Sequence, residues 1–204
     1  MQTRSRLIQA ARSRFGSVGY AATSMDELSA SVGLTRGALY HQFGGKDGLL
    51  RAVVAQVDDE IAARLTQLVS GHESRWQRFY LGCRGFLEMA LEPEIQRIVL
   101  RDAPAVLGSA DRAMHSTCHA DMANNLLSLM QEGVIRPSDP HALTTLLSGA
   151  LSQAALWIAS STEPAQSLAQ ALDALDALLS GLLKDAGPLG AEVSPAALLD
   201  SAAA

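Results

Sequence analysis

The chemistry most evident in this chain is recognition, and it is concentrated between Thr23 and Lys46. Arg36 carries a planar guanidinium that can bridge O6 and N7 of a guanine or pair with a phosphate. Gly37 and Ala38 beside it leave room for a backbone or methyl contact with a base edge. Tyr40 and His41 can reach phosphates, and Lys46 stands at a helix start, where free amides and a cation together favour an anion. Thr23 and Ser24 occupy the same kind of position one helix earlier. Arg4 and Arg6 lie ahead of the ordered core and can reach a minor groove.

Two further constellations bear on chemistry. His115, Cys118 and His119 share one helix face with Asp111 a turn earlier, and imidazole and thiolate ligands suit zinc or copper. Three ligands on a single helix rarely complete a tetrahedral site, and no second cluster follows. The expectation is therefore no resident metal or cofactor, with a metal- or redox-sensing role for Cys118 and its histidines as the alternative. The other set is apolar. Phe79, Tyr80, Cys83, Phe86 and Leu87 can face Met114, His115, Cys118, Met122, Gln153 and Trp157 across an interior. A packed core and a ligand cavity predict the same periodicity, so both remain open. In the cavity reading the ligand is apolar or aromatic, and Tyr80, His115 and Gln153 orient it. Enzyme chemistry finds little support. There is no nucleophile elbow or phosphate loop, and Glu88 with Glu92 reads as a solvated helix face.

These residues need elements to position them. Ser24 followed by Glu27 is a capping box that starts a helix at Met25. Met25, Leu28 and Val32 give that helix one apolar face, and Gly33 stops it. Thr35 caps a second helix, with Leu34 and Leu39 placed as a hydrophobic staple, and Gly44-Gly45 ends it. Two short helices joined by a tight turn form a helix-turn-helix, whose second helix fits a DNA major groove. A helix over 3–18 precedes it, with Leu7, Ile8, Ala11, Phe15 and Val18 inward and Arg6, Gln9, Arg12 and Ser13 outward. A long helix from Lys46 to about Val69 follows, with Leu50 through Leu68 along one side.

Helices are then predicted over 74–91, from Pro93 to about Arg101, over 110–132, 141–160 and 165–184. In the last of these Leu168, Leu172, Leu175, Leu179 and Leu182 recur at spacings of 4, 3, 4 and 3, a coiled-coil-like seam. The last two helices are expected to meet their own copy in a four-helix dimer contact, with an ordinary intramolecular core as the alternative.

The stretch from Thr23 to Lys46 closely resembles the DNA-binding signature of TetR-type transcriptional repressors. The matching residues are Thr23, Leu28, Ala30, Gly33, Leu34, Thr35, Gly37, Leu39, Tyr40, Phe43, Lys46 and Leu49. Phe86 to Gly108 also looks like the ligand-domain segment of one TetR subgroup. The resemblance implies an all-α fold and a DNA-facing set of Thr35, Arg36, Gly37, Ala38, Tyr40 and His41. It also implies a C-terminal effector pocket. The expected organisation is a three-helix head over 1–48, a helical effector-binding and dimerising body over 49–186, and a loose tail over 187–204. The expected partners are a palindromic operator duplex, a small-molecule effector and a second copy of the chain. Gln42 departs from the His or Tyr often found at that point, which bears on which backbone contact is made.

Charge agrees with this division. The chain of 204 residues carries a net charge of −5. Residues 1–50 hold six basic and three acidic side chains, a net of +3, while the remainder holds ten against eighteen, a net of −8. A basic head can meet a polyanion that an acidic body avoids. Only Cys83 and Cys118 occur, which is no disulfide framework and suits a reducing cytoplasm. Met1 to Arg14 holds four arginines and no apolar run, so no leader peptide is read there. The apolar run over 142–161 is broken by Thr, Ser and Gln and reads as a buried helix, not a membrane span.

Overall fold

Local signals account for the first half of the chain. A computed structural model describes residues 2–108 and 117–184. Helix α1 (Gln2–Val18) buries Leu7, Ile8, Ala11 and Phe15. Val18, expected in the same stripe, is exposed, because Gly19 at φ 89° turns the chain just beyond it. Helix α2 (Met25–Ser31) begins where Ser24 Oγ accepts the Glu27 amide at 3.4 Å. The Glu27 carboxylate pairs with Arg14 at 2.6 Å. Gly33, at φ 72°, supplies the left-handed turn. Helix α3 (Arg36–Phe43) begins with Thr35 Oγ accepting the Ala38 amide at 3.2 Å and ends at left-handed Gly44. Leu28 and Leu39 are buried where α2 packs on α1 and α3 packs on α2 and α4.

Helix α4 (Lys46–Val69) carries the chain from head to body. Leu49, Leu50, Val53, Val54, Val57 and Ile61 are buried along it, but Leu68 near its end is largely exposed. Helix α5 (Arg75–Met89) is capped by Ser74 and packs along α4. The two approach closely because Gly85 has no side chain. A Cβ there would lie 2.5 Å from Leu68 Cδ2.

The next segment differs from the short helix expected. Residues Ile95–Asp102 form a π-helix, here π1, in which the Ala103 amide reaches back to the Ile98 carbonyl. Ile98, Val99 and Leu100 are all buried, a run of three that α-helical periodicity does not foretell. Helix α6 (Ala103–Leu107) closes at Gly108. The expected helix over 110–132 is described from Thr117 to Gln131 as α7. Helices α8 (Pro140–Ser160), capped by Asp139, and α9 (Pro164–Ser180) complete the body. Helix α9 ends earlier than expected because residues 182–184 turn back onto the loop after α7. There Arg136 N–H donates to Leu182 O at 2.9 Å and Lys184 N–H to Val134 O at 3.1 Å. The tail expected over 187–204 lies outside the described residues. Among those described, the molecule is all-α apart from one isolated Ile135–Leu183 bridge. One apolar core runs from Leu7 to Leu179 through head and body.

The last helix pair corrects the expected seam. Within the chain, α9 buries Ala171, Leu175 and Leu179, and α8 buries Leu147, Leu151, Ala155 and Ile158. Leu168, Leu172 and Leu182 are half-buried. The seam is therefore largely intramolecular. A different stripe of α8 remains uncovered: Leu146 at 70% exposure, Gly149, Ala150 and Trp157 at 45%. Beside it on α9 lie Ala174, Ala177 and Leu178, the last at 45%. Helix α8 is long and apolar enough to cross a membrane by length and composition, but it packs against α5, α7, α9 and π1.

Candidate nucleic-acid interface and effector region

The outer face of α3 gathers the polar residues that the sequence singled out. Thr35, Arg36, Gly37, Tyr40 and His41 are exposed, and Ala38 is half-buried. Arg36 lies over the Tyr40 ring, 5.5 Å from its centroid, and its Nη1 is 3.4 Å from Asp26 Oδ2. The pair is open to solvent, so a nucleic-acid phosphate or base can replace Asp26 at little cost. Ser24 is half-buried at the start of α2, its oxygen already used as a cap.

Thr23 and Arg4 differ from expectation, while Lys46 opens α4 as expected but is engaged within the chain. Thr23 is only 3% exposed, and its hydroxyl donates to the Gly19 carbonyl at 2.8 Å. Its side chain serves the bend between α1 and α2. Arg4 belongs to α1, not to a free arm, and lies 5.3 Å over the Phe43 ring at the end of α3. Lys46 is half-buried, 4.4 Å over the Tyr20 ring, and donates to Ala21 O at 3.3 Å. Tyr20 in turn donates to Asp47. Burial, then the hydrogen bond to Asp47, raise the Tyr20 hydroxyl above the ordinary phenol range, so it remains a donor.

Behind this face sits a network that sequence reasoning missed. Arg12, expected to face outward, donates to both Glu94 oxygens at 2.8 Å and to Glu60 at 2.6 Å. Arg97 donates to the Gly16 and Ser17 carbonyls, and Asp102 accepts the Tyr20 amide at 2.7 Å. These contacts join α1 to α4 and π1. Each links residues distant in sequence, and nothing local in the chain marks them.

In the body, α5 buries Phe79, Cys83 and Leu87, and Phe86 and Met122 are half-buried. Burial pushes the Cys83 thiol up to about 12, which leaves it un-ionised and unreactive near neutrality. Tyr80 is committed elsewhere. Its hydroxyl donates to Asp176 at 2.9 Å, and Arg84 contacts both. Gln153 and Trp157 are exposed on α8, on the face that carries Leu146, so they do not line an interior with α5. Met114 and His115 lie outside the described residues, as does the side chain of Cys118. Among the described residues no group of three His, Cys, Asp or Glu side chains is placed to hold a metal. Among the described residues the buried Trp76 indole N–H meets no acceptor, and the Trp76 and Phe79 ring centroids are 6.0 Å apart. An open cleft of about 480 Å³ lies between α4 and α5, lined by Arg64, Leu68, Gly85, Glu88 and Glu92 among others. None of the expected ligand residues lines it.

Comparison with known proteins decides the family. Residues 7–53 match the family model "Bacterial regulatory proteins, tetR family", and residues 76–182 match "Tetracyclin repressor-like, C-terminal domain". The chain belongs to the TetR family. A TetR-family transcriptional regulator from Pectobacterium atrosepticum, known as a crystal structure, is 50% identical, with a TM-score of 0.80 over 90% of this chain and 95% of that one. The transcriptional regulator UidR of Escherichia coli K12 is 29% identical over 149 residues, 71% of this chain and 75% of its own. A structure from Rhodococcus sp. shares the fold at 19% identity and a TM-score of 0.67, covering 88% of this chain and all of that one. This TetR-family chain is thus a DNA-binding transcriptional regulator, not an enzyme.

Proposed function

We propose that this regulator is a ligand-responsive repressor that occupies a palindromic operator as a homodimer in the cytoplasm. The observation that carries the reading is a pair of faces. The exposed set on α3 offers Arg36, Tyr40 and His41 to a major groove. The uncovered apolar stripe of α8 and α9, with Leu146 and Trp157, suits burial against its own copy. Two heads joined in this way match the two-fold symmetry of a palindrome, and the bound dimer blocks transcription sterically.

The effector is an apolar or aromatic small molecule held between α5, at Phe79, Cys83 and Phe86, and the segment of the sequence that holds Met114, Cys118 and Met122. Support comes from the adaptable Met and Cys side chains and from the unpartnered Trp76 N–H, which a ligand oxygen can satisfy. The ligand favours the state that does not bind DNA and so releases the operator. The test is footprinting of the purified chain on the DNA flanking its own gene, repeated with a panel of hydrophobic compounds. A two-fold symmetric footprint that an apolar compound abolishes is expected. No protected site, or a site that no compound shifts, contradicts the corresponding half of the reading.

A further inference from the structure

The helix π1 grips the end of α1 at two points. Arg97 donates to the carbonyls of Gly16 (at 3.2 Å) and Ser17, the free acceptors at the carboxyl end of α1. A cation there is favoured by the helix dipole as well as by hydrogen bonding. Asp102 accepts the Tyr20 amide at 2.7 Å, just past the bend made by Gly19 at φ 89°. Arg12 adds a third tie from α1 to Glu94 at the start of the same segment.

The helical register makes the grip possible. In a π-helix the ladder runs from i to i+5, so residues five apart lie on the same side of the helix. Arg97 and Asp102 are five apart. In an α-helix, at 3.6 residues per turn, they would point about 140° apart and could not both reach the 16–20 segment. Arg101 meanwhile donates to the Ala159 carbonyl in the last turn of α8. One short helix therefore ties the end of α1 in the head to the helix that carries the uncovered apolar face.

We propose that Arg97 and Asp102 are positioning residues for operator binding: through the end of α1 they fix the orientation of each head relative to α8, and so the separation of the two recognition helices. The inference rests on the dimeric-operator reading above. Its consequence is steep because adjacent base pairs are spaced about 3.4 Å apart, so a small tilt of the head places α3 out of register with the second half-site. Neither residue lies in α3, the helix that carries the exposed recognition set.

The experiment uses the full-length protein and two duplexes: the footprinted operator and the same operator with one base pair inserted between half-sites. Binding is read by fluorescence anisotropy for wild type, Arg97→Ala, Asp102→Ala and Asp102→Asn, with thermal melting and light scattering confirming folded dimers. Wild type is expected to prefer the native spacing. Each alanine variant loses one or two hydrogen bonds of the grip, and that preference should shrink by about fivefold or more. Affinity for unrelated duplex should stay unchanged. Asp102→Asn keeps an acceptor for the Tyr20 amide and should restore most of the preference. Alanine variants that fold, dimerise and keep the wild-type spacing preference overturn the proposal, as does a wild type indifferent to spacing. A wild type that binds no operator at all instead sinks the regulator reading on which the proposal stands.

Discussion

At the scale of single residues, Arg36 and Thr23 separate two meanings of a polar residue in a DNA-binding head. Among the described residues Arg36 is exposed and held by a solvent-open Asp26 and the face of Tyr40, and it can exchange both for a base edge or phosphate. Arg36→Ala is expected to cost roughly 1–3 kcal/mol at the operator, with little change in melting. Thr23→Val should do the reverse. It removes the donor to Gly19 O inside a buried bend, and losing such a bond costs about 1 kcal/mol of stability. Affinity per folded molecule should hold. Melting curves beside anisotropy titrations distinguish the two. An Arg36→Ala protein that binds operator as wild type does would remove Arg36 from the recognition set.

At the scale of elements, glycines decide how closely helices approach, and their neighbours decide what a substitution costs. A Cβ at Gly48 would fall 1.7 Å from the backbone oxygen of Phe43, where α3 ends against the first turn of α4. Backbone cannot rotate away, so Gly48→Ala must push α3 from α4. A loss of about 1–3 kcal/mol, the usual cost of overpacking, is expected together with weakened operator binding. At Gly85 the nearest atom is instead the end of the exposed Leu68 side chain, which can swing into solvent. Half-buried Leu65, whose Cδ2 is 3.2 Å away, has less room to give, so Gly85→Ala should cost some stability but less than Gly48→Ala. Equal melting of both variants, read by circular dichroism, would refute this distinction.

The same scale shows what was legible in the chain. Caps and stops were, because Ser24, Thr35 and Gly33 act on amides and carbonyls within four residues of themselves. The exposed set on α3 followed from those boundaries. The π register was not legible, since Ile98-Val99-Leu100 is a continuous apolar run that marks no particular ladder. Nor was the grip on α1, where Arg12, Arg97 and Asp102 find partners dozens of residues away. Helix α8 defeated periodicity for another reason. It is apolar on two faces, so Gln153 and Trp157 could be assigned to an interior when they stand on the uncovered side.

At the scale of the whole molecule, that side is the apolar surface open to a second copy. Leu175, in the expected seam, is 8% exposed within one chain, so a charge there would disrupt the core of a single protomer. Leu146, at 70% exposure, lies outside the core formed by the described residues, and a charge there tests association without harming that core. The basic head supplies attraction to DNA in each protomer, but one head alone makes half the contacts of a palindromic complex. The decisive measurement is the mass of the protein–operator complex by light scattering, for wild type and Leu146→Glu, with melting recorded alongside. Two chains per operator are expected for wild type. Leu146→Glu should be a folded monomer that binds the operator at least about a hundredfold more weakly, the loss expected when the second head no longer binds at high effective concentration. A wild-type monomer that holds its operator at full affinity, or a Leu146→Glu chain that remains a dimer on DNA, would contradict the account.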